Sequence, residues 1–315
     1  MKVTLLYPPE QTWPDTMCKP NGSLAYPMLG GALIEAGVEV EVYDACVGNN
    51  EDNLQETFYK STELPTGMLR TGVSDKRILE QIVDSQIIGV TSIFSHQETM
   101  VLNTIKLIKE HFPNKLVISG GVNARHRISQ FFEAGTDIIC ASEAENTIID
   151  IVRAYETGNR DFDSIPRIIF EKDGEIVFSQ AQGDIVWDLD ELPLPAWHLL
   201  PNERYWKIGR PHGGHFEEDE ELKYASMMTS LGCPFTCTFC HIAGELKGSF
   251  SGEIGRFRIK SDDRVIQELE MLRDMGVKQI FVEDDSLLGK KKRAFRLIKK
   301  MIGMGFDILD VNGVN

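Results

Sequence analysis

Three cysteines stand in one short run, CPFTCTFC: Cys233, Cys237 and Cys240. Three thiolates in one loop can each hold one iron of a [4Fe–4S] cluster, which leaves the fourth iron without a cysteine and open to a small molecule. Zinc is the competing metal. Structural zinc takes four ligands, commonly from paired two-residue spacings. Here the spacing is three residues, then two, and the chain has no second CxxC. His241 directly abuts Cys240 and would strain the loop as a fourth ligand. The alternative of a different class is therefore a non-catalytic metal-binding module, which would keep zinc and no iron through anaerobic purification.

Other residues stand where apolar runs end. Gly120 and Gly121 close KLVISGG, and two glycines let a flat ligand or a nucleotide tail approach the backbone. Thr91 and Ser92 lie near the end of IIGVTSIF, and Ser142, Glu143 and Glu145 follow TDIIC. Glu283, Asp284 and Asp285 end KQIFVEDD. Ordinary turn chemistry is the plain alternative for each group. KKKR (Lys290 to Arg293) reads as a solvated helix start. The remaining cysteines, Cys18, Cys46 and Cys140, are dispersed, and Cys46 and Cys140 read as packing residues. No residue stands out as catalytic.

The elements that must position these groups alternate. Strand patterns cover Val3–Tyr7, Val38–Ala45, Ile87–Phe94, Lys115–Gly121 and Thr136–Glu143. Helix patterns cover Met28–Gly37, Ile78–Ser85, Thr99–His111, Ile128–Ala134 and Asn146–Tyr155. Five strands alternating with helices predict a parallel sheet covered on both faces, with ligands at the carboxyl ends of its strands. Gly48–Ser74 reads as loop with at most one short helix. Two strand-like runs flank Asp173-Gly174, a hairpin signal. DLDELPLPAWHLLPNERYW (Asp188–Trp206) is an ordered, proline-punctuated linker, and the acidic run His215–Leu222 is a solvated boundary. The βα pattern restarts with strands at Tyr224–Ser230, Lys278–Asp285 and Phe306–Val311 and helices at Asp262–Met275 and Lys290–Met304.

The cysteine spacing resembles the radical S-adenosylmethionine (SAM) signature CxxxCxxC, down to the aromatic Phe239 before its last cysteine. TSLG (Thr229–Gly232) and the βα units that follow look like the opening of that family's barrel. KLVISGGVNA, the next helix and TDIICASEAE resemble the cobalamin-binding domain of the cobalamin-dependent radical SAM family, and DLDELPLPAWHLLP resembles its linker. The resemblance covers essentially the whole chain. It implies an α/β fold: an N-terminal Rossmann-like, doubly wound parallel sheet, then the first half of a partial (β/α)6 TIM-like barrel. The implied divisions are 1–160 for cobalamin binding, 161–223 for hairpin and linker, and 224–315 for the barrel start. About three units of ~30 residues fit there, against about six in the family, so the chain reads as a fragment.

The resemblance also implies cofactors: a [4Fe–4S] cluster on Cys233, Cys237 and Cys240, SAM and cobalamin. SAM would meet Phe239, Glu283, Asp284 and Asp285. Cobalamin would meet Thr91, Ser92, Gly120, Gly121, Val122, Asn123, Ser142, Glu143 and Glu145. The implied enzyme methylates an unactivated carbon through a 5′-deoxyadenosyl radical and methylcobalamin; the alternative within the family is a non-methylating cyclisation or rearrangement. The implied partners are a small-molecule or peptide substrate and a one-electron donor such as flavodoxin or ferredoxin. The first βα loop, Pro8 to Pro27, has no histidine and no DxHxxG, so cobalt is expected without a lower histidine ligand. His96 and His126 read as helix-start residues. Where the family has a GEGE-like turn, this chain has ASEAE. An NAD-type sheet would need GxGxxG where the first turn reads YPPEQTWP, and a methylthiotransferase would need three more clustered cysteines.

Composition sets the outer bounds. The 315 residues are 42% hydrophobic and 26% charged, an ordinary globular mix. The formal charge of −15 disfavours nucleic acid as a partner. No window carries the ~18 apolar residues of a membrane span, and the start lacks a signal-peptide core. Together with reduced, clustered cysteines this predicts a cytoplasmic protein.

Overall fold

Residues 1–20, 23–181, 183–210 and 223–312 are described by the computed structural model. The acidic run His215–Leu222 lies outside them. Five apolar runs become parallel strands: β1 (Lys2–Tyr7), β2 (Glu39–Asp44), β3 (Ile87–Thr91), β4 (Leu116–Gly120) and β5 (Ile138–Cys140), in the order β2-β1-β3-β4-β5. The helices between them are α1 (Ala25–Glu35), α2 (Asp75–Gln81), α3 (Glu98–His111), α4 (Val122–His126), α5 (Ile128–Ala134) and α6 (Glu145–Glu156). Val3, Leu5 and Ile118 pack with Leu33 of α1 and Ile148 and Ile151 of α6. The alternate residues Leu6, Ile88, Val90, Val117 and Ile139 are buried too. Both faces of the sheet are thus covered, as a parallel sheet requires.

Strand order reverses direction between β1 and β3, and in doubly wound sheets the ligand crevice opens at such a switch point, beyond the carboxyl ends of the strands. Tyr26 of α1 closes the floor of this crevice: its hydroxyl donates to the Leu6 carbonyl and accepts from the Thr91 N–H at 3.3 Å. Burial keeps this phenol protonated far above its ordinary range.

The hairpin forms as β6 (Ile168–Lys172) and β7 (Glu175–Phe178), with Asp173 and Gly174 at φ 54° and 82°. It extends the same sheet, because β6 pairs antiparallel with β5. Gly48–Ser74 departs from the loop expected there. The one short helix allowed for there is present as a π-helical turn, Gln55–Tyr59; the departure is two short strands, Thr62–Glu63 and Leu69–Thr71, which form a small antiparallel sheet with Glu10–Thr12. That third strand is distant in sequence, so no local pattern announces the sheet. His126 ends α4 rather than opening a helix; its Nδ1 lies 2.8 Å from the Val122 carbonyl oxygen.

By contact the chain divides into two units, Met1–Gln182 with Ala196–Arg204, and Gly183–Pro195 with Tyr205–Asn315. The linker is divided between them and carries a helix, α7 (Asn202–Ile208). In the first unit Arg204 donates to the carbonyls of Val47 (2.8 Å), Asn49 (2.6 Å) and Asp52 (3.0 Å).

The second unit has parallel strands β8 (Tyr224–Met227), β11 (Gln279–Val282) and β12 (Asp307–Asp310), in that order. Between β8 and β11 run the antiparallel pair β9 (Ser230–Leu231) and β10 (Arg258–Ile259), the short helix α8 (His241–Gly244) and α9 (Asp262–Asp274); α10 (Lys291–Gly303) precedes β12. Arg264 of α9 donates to the carbonyls of Leu192 (2.6 Å) and Pro193 (2.7 Å), which gives the proline-punctuated DLDELPLP a structural reason. Among the described residues, no helix is long and apolar enough to cross a membrane.

Candidate functional site

The cysteine loop leaves β9 and returns through β10, so a two-stranded clasp holds its base. Gly232 turns the chain into the loop at φ 71°, and a Cβ there would stand 2.3 Å from the Arg256 carbonyl oxygen. The Cys233 N–H donates to the Gly255 carbonyl at 3.0 Å, and the Cys240 N–H to the Cys237 carbonyl at 3.0 Å. Cys237 is exposed and Cys233 and Cys240 are half-buried, all three as free thiols. Phe239 projects outward at 92% exposure.

Asp284 is fully buried beneath this turn. Its carboxylate accepts from the Thr229 N–H (2.6 Å), the Thr229 hydroxyl (2.7 Å) and the Ser230 hydroxyl (2.6 Å). Asp285 accepts from the Gly232 N–H at 3.1 Å, and burial raises its carboxyl above the ordinary range. The carboxylates expected to meet SAM thus hold the approach to the cysteines: the end of β11 fixes the turn after β8. Arg293 extends the set, donating to the Thr229 hydroxyl (2.8 Å), the Thr229 carbonyl (2.9 Å) and the Lys260 carbonyl (3.0 Å). This corrects the solvated reading of KKKR. Lys290, Lys291 and Lys292 are exposed, but Arg293 turns inward and is buried. Thr229 and Ser230 stood out only as part of TSLG and Arg293 only as part of KKKR; their shared bracing role had no local signal, because the partners lie 54 to 64 residues apart along the chain.

In the first unit the structure brings Thr91, Ser92, Gly120, Gly121, Val122 and Asn123 to one corner of the sheet edge. The Ser92 N–H donates to the Gly120 carbonyl (2.9 Å), and the Asn123 N–H and side-chain amide donate to Ser92 (3.1 and 3.0 Å). Gly121 has φ 95°, and a Cβ there would meet the Ser92 carbonyl oxygen at 2.4 Å. Gly120 by contrast has nothing within 4 Å of where its Cβ would stand. Ser142, Glu143 and Glu145 follow β5, at the same edge by the parallel topology. Glu145 is buried, and Ser142 and Glu143 are partly so.

Sequence reasoning passed over the apolar residues of this edge. Trp13 and Met17, after β1, and Ile93 and Phe94, after β3, are all exposed. Exposed apolar groups gathered on loops at one sheet edge mark a ligand or partner surface. Cys140 is buried in the core as expected, and burial drives its thiol pKa up to about 12. Cys18 and Cys46, dispersed in sequence, meet in space with their sulfurs 3.5 Å apart.

The fold and the cysteine loop define a class: a doubly wound sheet joined in one chain to strands of a parallel sheet that carry a CxxxCxxC loop. No family model matches the sequence. An uncharacterized methyltransferase of Pyrococcus horikoshii is 30% identical over 229 residues, which are 71% of this chain and 45% of the relative. The anaerobic magnesium-protoporphyrin IX monomethyl ester cyclase of Cereibacter sphaeroides is 26% identical over 250 residues, 77% of this chain and 37% of the relative. Among solved structures, the radical SAM methyltransferase TsrM of Kitasatospora setae, with cobalamin and a [4Fe–4S] cluster bound, aligns with a TM-score of 0.66 and 16% identity over 96% of this chain and 52% of that one. The resemblance to the cobalamin-dependent radical SAM family is borne out: the chain has that fold over nearly its whole length. It spans about half the length of these proteins or less.

Proposed function

We propose that this chain provides the cobalamin-binding unit and the cluster-bearing first strands of a cobalamin-dependent radical SAM methyltransferase. The observation that carries the reading is the cysteine loop itself: three free thiols on a clasp braced by Asp284 and Asp285, in one chain with a doubly wound sheet that has a switch point between β1 and β3.

The residues fit the groups they would hold. Three thiols and no fourth suit a cluster with one open iron, and the bracing carboxylates fix the loop before any metal arrives. Glycine at 120 and 121 and the exposed Trp13, Met17, Ile93 and Phe94 suit a large, flat, partly apolar ligand. When bound, the cluster with SAM supplies a carbon radical and cobalamin supplies a methyl carrier. This chain's part is to hold and orient. Cys233, Cys237 and Cys240 ligate iron. Phe239 and Glu283 border the SAM position. The corner of Thr91, Ser92, Gly120–Asn123 and Ser142–Glu145 carries the corrinoid tail. An unactivated carbon of a small molecule or peptide is the methyl acceptor, and a flavodoxin- or ferredoxin-class protein delivers the electron.

A second reading, a non-methylating rearrangement or ring closure on the same cofactors, is favoured by the cyclase among the relatives. Anaerobic reconstitution, with iron, sulfide and cobalamin, of a form that spans the full length of these relatives tests both. Deoxyadenosine after reduction and a corrinoid band are expected, and the lack of both would remove the two readings together. Methyl-labelled SAM then separates them, since only methyl transfer leaves label in the product.

A further inference from the structure

Glu10 opens the short strand that follows β1, Cys18 stands in the loop after that strand and Cys46 follows β2, and their ligand atoms all lie within 4.8 Å of one another. The Cys18 thiol donates to Glu10 Oε2 at 2.7 Å, and its sulfur is 3.5 Å from that of Cys46. Both sulfurs are buried. The backbone beneath them is fixed. Glu10 pairs with Thr71 in the small sheet, the Ala45 N–H donates to the Tyr7 carbonyl at 2.8 Å, and the Cys46 N–H donates to Asp44 Oδ1 at 2.8 Å. On the open side, His96 Nε2 is 3.9 Å from Glu10 Oε1.

Packing does not account for this group. Cys140 shows what a packing cysteine looks like here: it lies among Ile138, Ile168 and Phe170 in the hydrophobic core. Cys18 instead has a carboxylate on its sulfur. A disulfide would use the two thiols but leave Glu10 without a purpose. Two thiols and a carboxylate sharing one partly buried space, with Asp44 adding a second negative charge, form a set that a soft dication satisfies.

We propose that Cys18, Cys46 and Glu10 bind a divalent cation of the zinc class, with the fourth position left to water or to His96 after its side chain turns in. Binding exchanges two thiol protons for one dication, so the charge of the site is unchanged. The geometry asks for little movement. With bonds of ~2.3 Å to sulfur and ~2.0 Å to oxygen, a tetrahedral ion sets its sulfurs about 3.8 Å apart and sulfur to oxygen about 3.5 Å. The ion would clamp the loop after β1 to the end of β2, beside the switch point. The proposal does not rest on cobalamin or radical chemistry.

The test needs the three loop cysteines silenced, because they too can take zinc. In the full chain carrying Cys233→Ser, Cys237→Ser and Cys240→Ser, cobalt(II) added anaerobically should give thiolate-to-metal charge-transfer absorption. One zinc per chain should survive dialysis against a weak chelator. Adding Cys18→Ser or Cys46→Ser should weaken cobalt binding ~100-fold or more, and Glu10→Gln about tenfold. Circular dichroism of each variant checks that it is folded. Should the triple variant not fold, the reconstituted wild-type protein should carry one zinc beyond its irons, and Cys18→Ser should lack it. No charge-transfer band in the folded triple variant would overturn the site, as would equal affinity in Cys18→Ser. Failure to bind cobalt, together with a Cys18–Cys46 disulfide on mild oxidation, would replace it with a redox pair.

Discussion

Gly121 and Asp284 have functions at the residue scale that their own neighbours in sequence do not disclose. Gly121 was legible as a strand-end glycine, but its need is set by Ser92, whose carbonyl oxygen leaves no room for a Cβ. Gly121→Ala meets both a positive φ, which costs ~1–3 kcal/mol for residues with a side chain, and a backbone atom that cannot swing away. It should lower the denaturation midpoint of the first unit and weaken corrinoid uptake, read by absorption titration, while Gly120→Ala should do neither to the same degree. Asp284 was legible as an acid ending a strand, whereas its three donors come from Thr229 and Ser230, over fifty residues earlier. Asp284→Ala leaves those buried donors unpaired, a cost of ~1–3 kcal/mol for each group. The turn into the cysteines should loosen, and reconstituted iron should be lost on gel filtration although every cysteine is intact.

Helix α9 shows how one element ties the second unit together. Glu268 is fully buried and accepts from Lys260 at 2.7 Å and from Arg264 at 2.7 Å, and Arg264 also grips the linker carbonyls. Glu268→Gln strands two buried cations, and breaking such a pair costs ~3–5 kcal/mol. Urea unfolding of the variant should show that loss; a change under ~1 kcal/mol would mean the network is solvated like a surface pair. At the start of the same helix, Asp262 is held near pKa 2 by hydrogen bonds from Arg296 and Lys300 of α10. A depressed carboxylate stabilises the fold above its unfolded pKa of about 3.9 and loses that contribution as pH falls toward 2. Wild type should therefore exceed Asp262→Asn in stability at pH 7, with the gap closing between about pH 4 and 2. Elements of this kind were legible because their apolar spacing is local. The small sheet of Glu10–Thr12, Leu69–Thr71 and Thr62–Glu63 was not, since its strands are two or three residues long and their partners are remote.

At the scale of the whole molecule, the sequence disclosed the alternation that builds the doubly wound sheet, the hairpin at Asp173-Gly174 and the restart of βα units. It also disclosed the three cysteines proposed as the cluster's ligands, because a run of three cysteines in eight residues needs no tertiary information. What it could not disclose are arrangements made by folding alone: the inward turn of Arg293, the exposed apolar groups along one sheet edge, and the meeting of Cys18 with Cys46. The central claim is that Cys233, Cys237 and Cys240 are the iron ligands of a cluster that is separate from the corrinoid site. Anaerobic iron counting and corrinoid absorption on the alanine variants of all three, beside Cys46→Ala and Cys140→Ala, test it most directly. The account predicts that each of the first three loses the cluster's broad visible absorption and still takes up corrinoid, while the other two keep their iron. A full complement of iron in any one of the first three would contradict it.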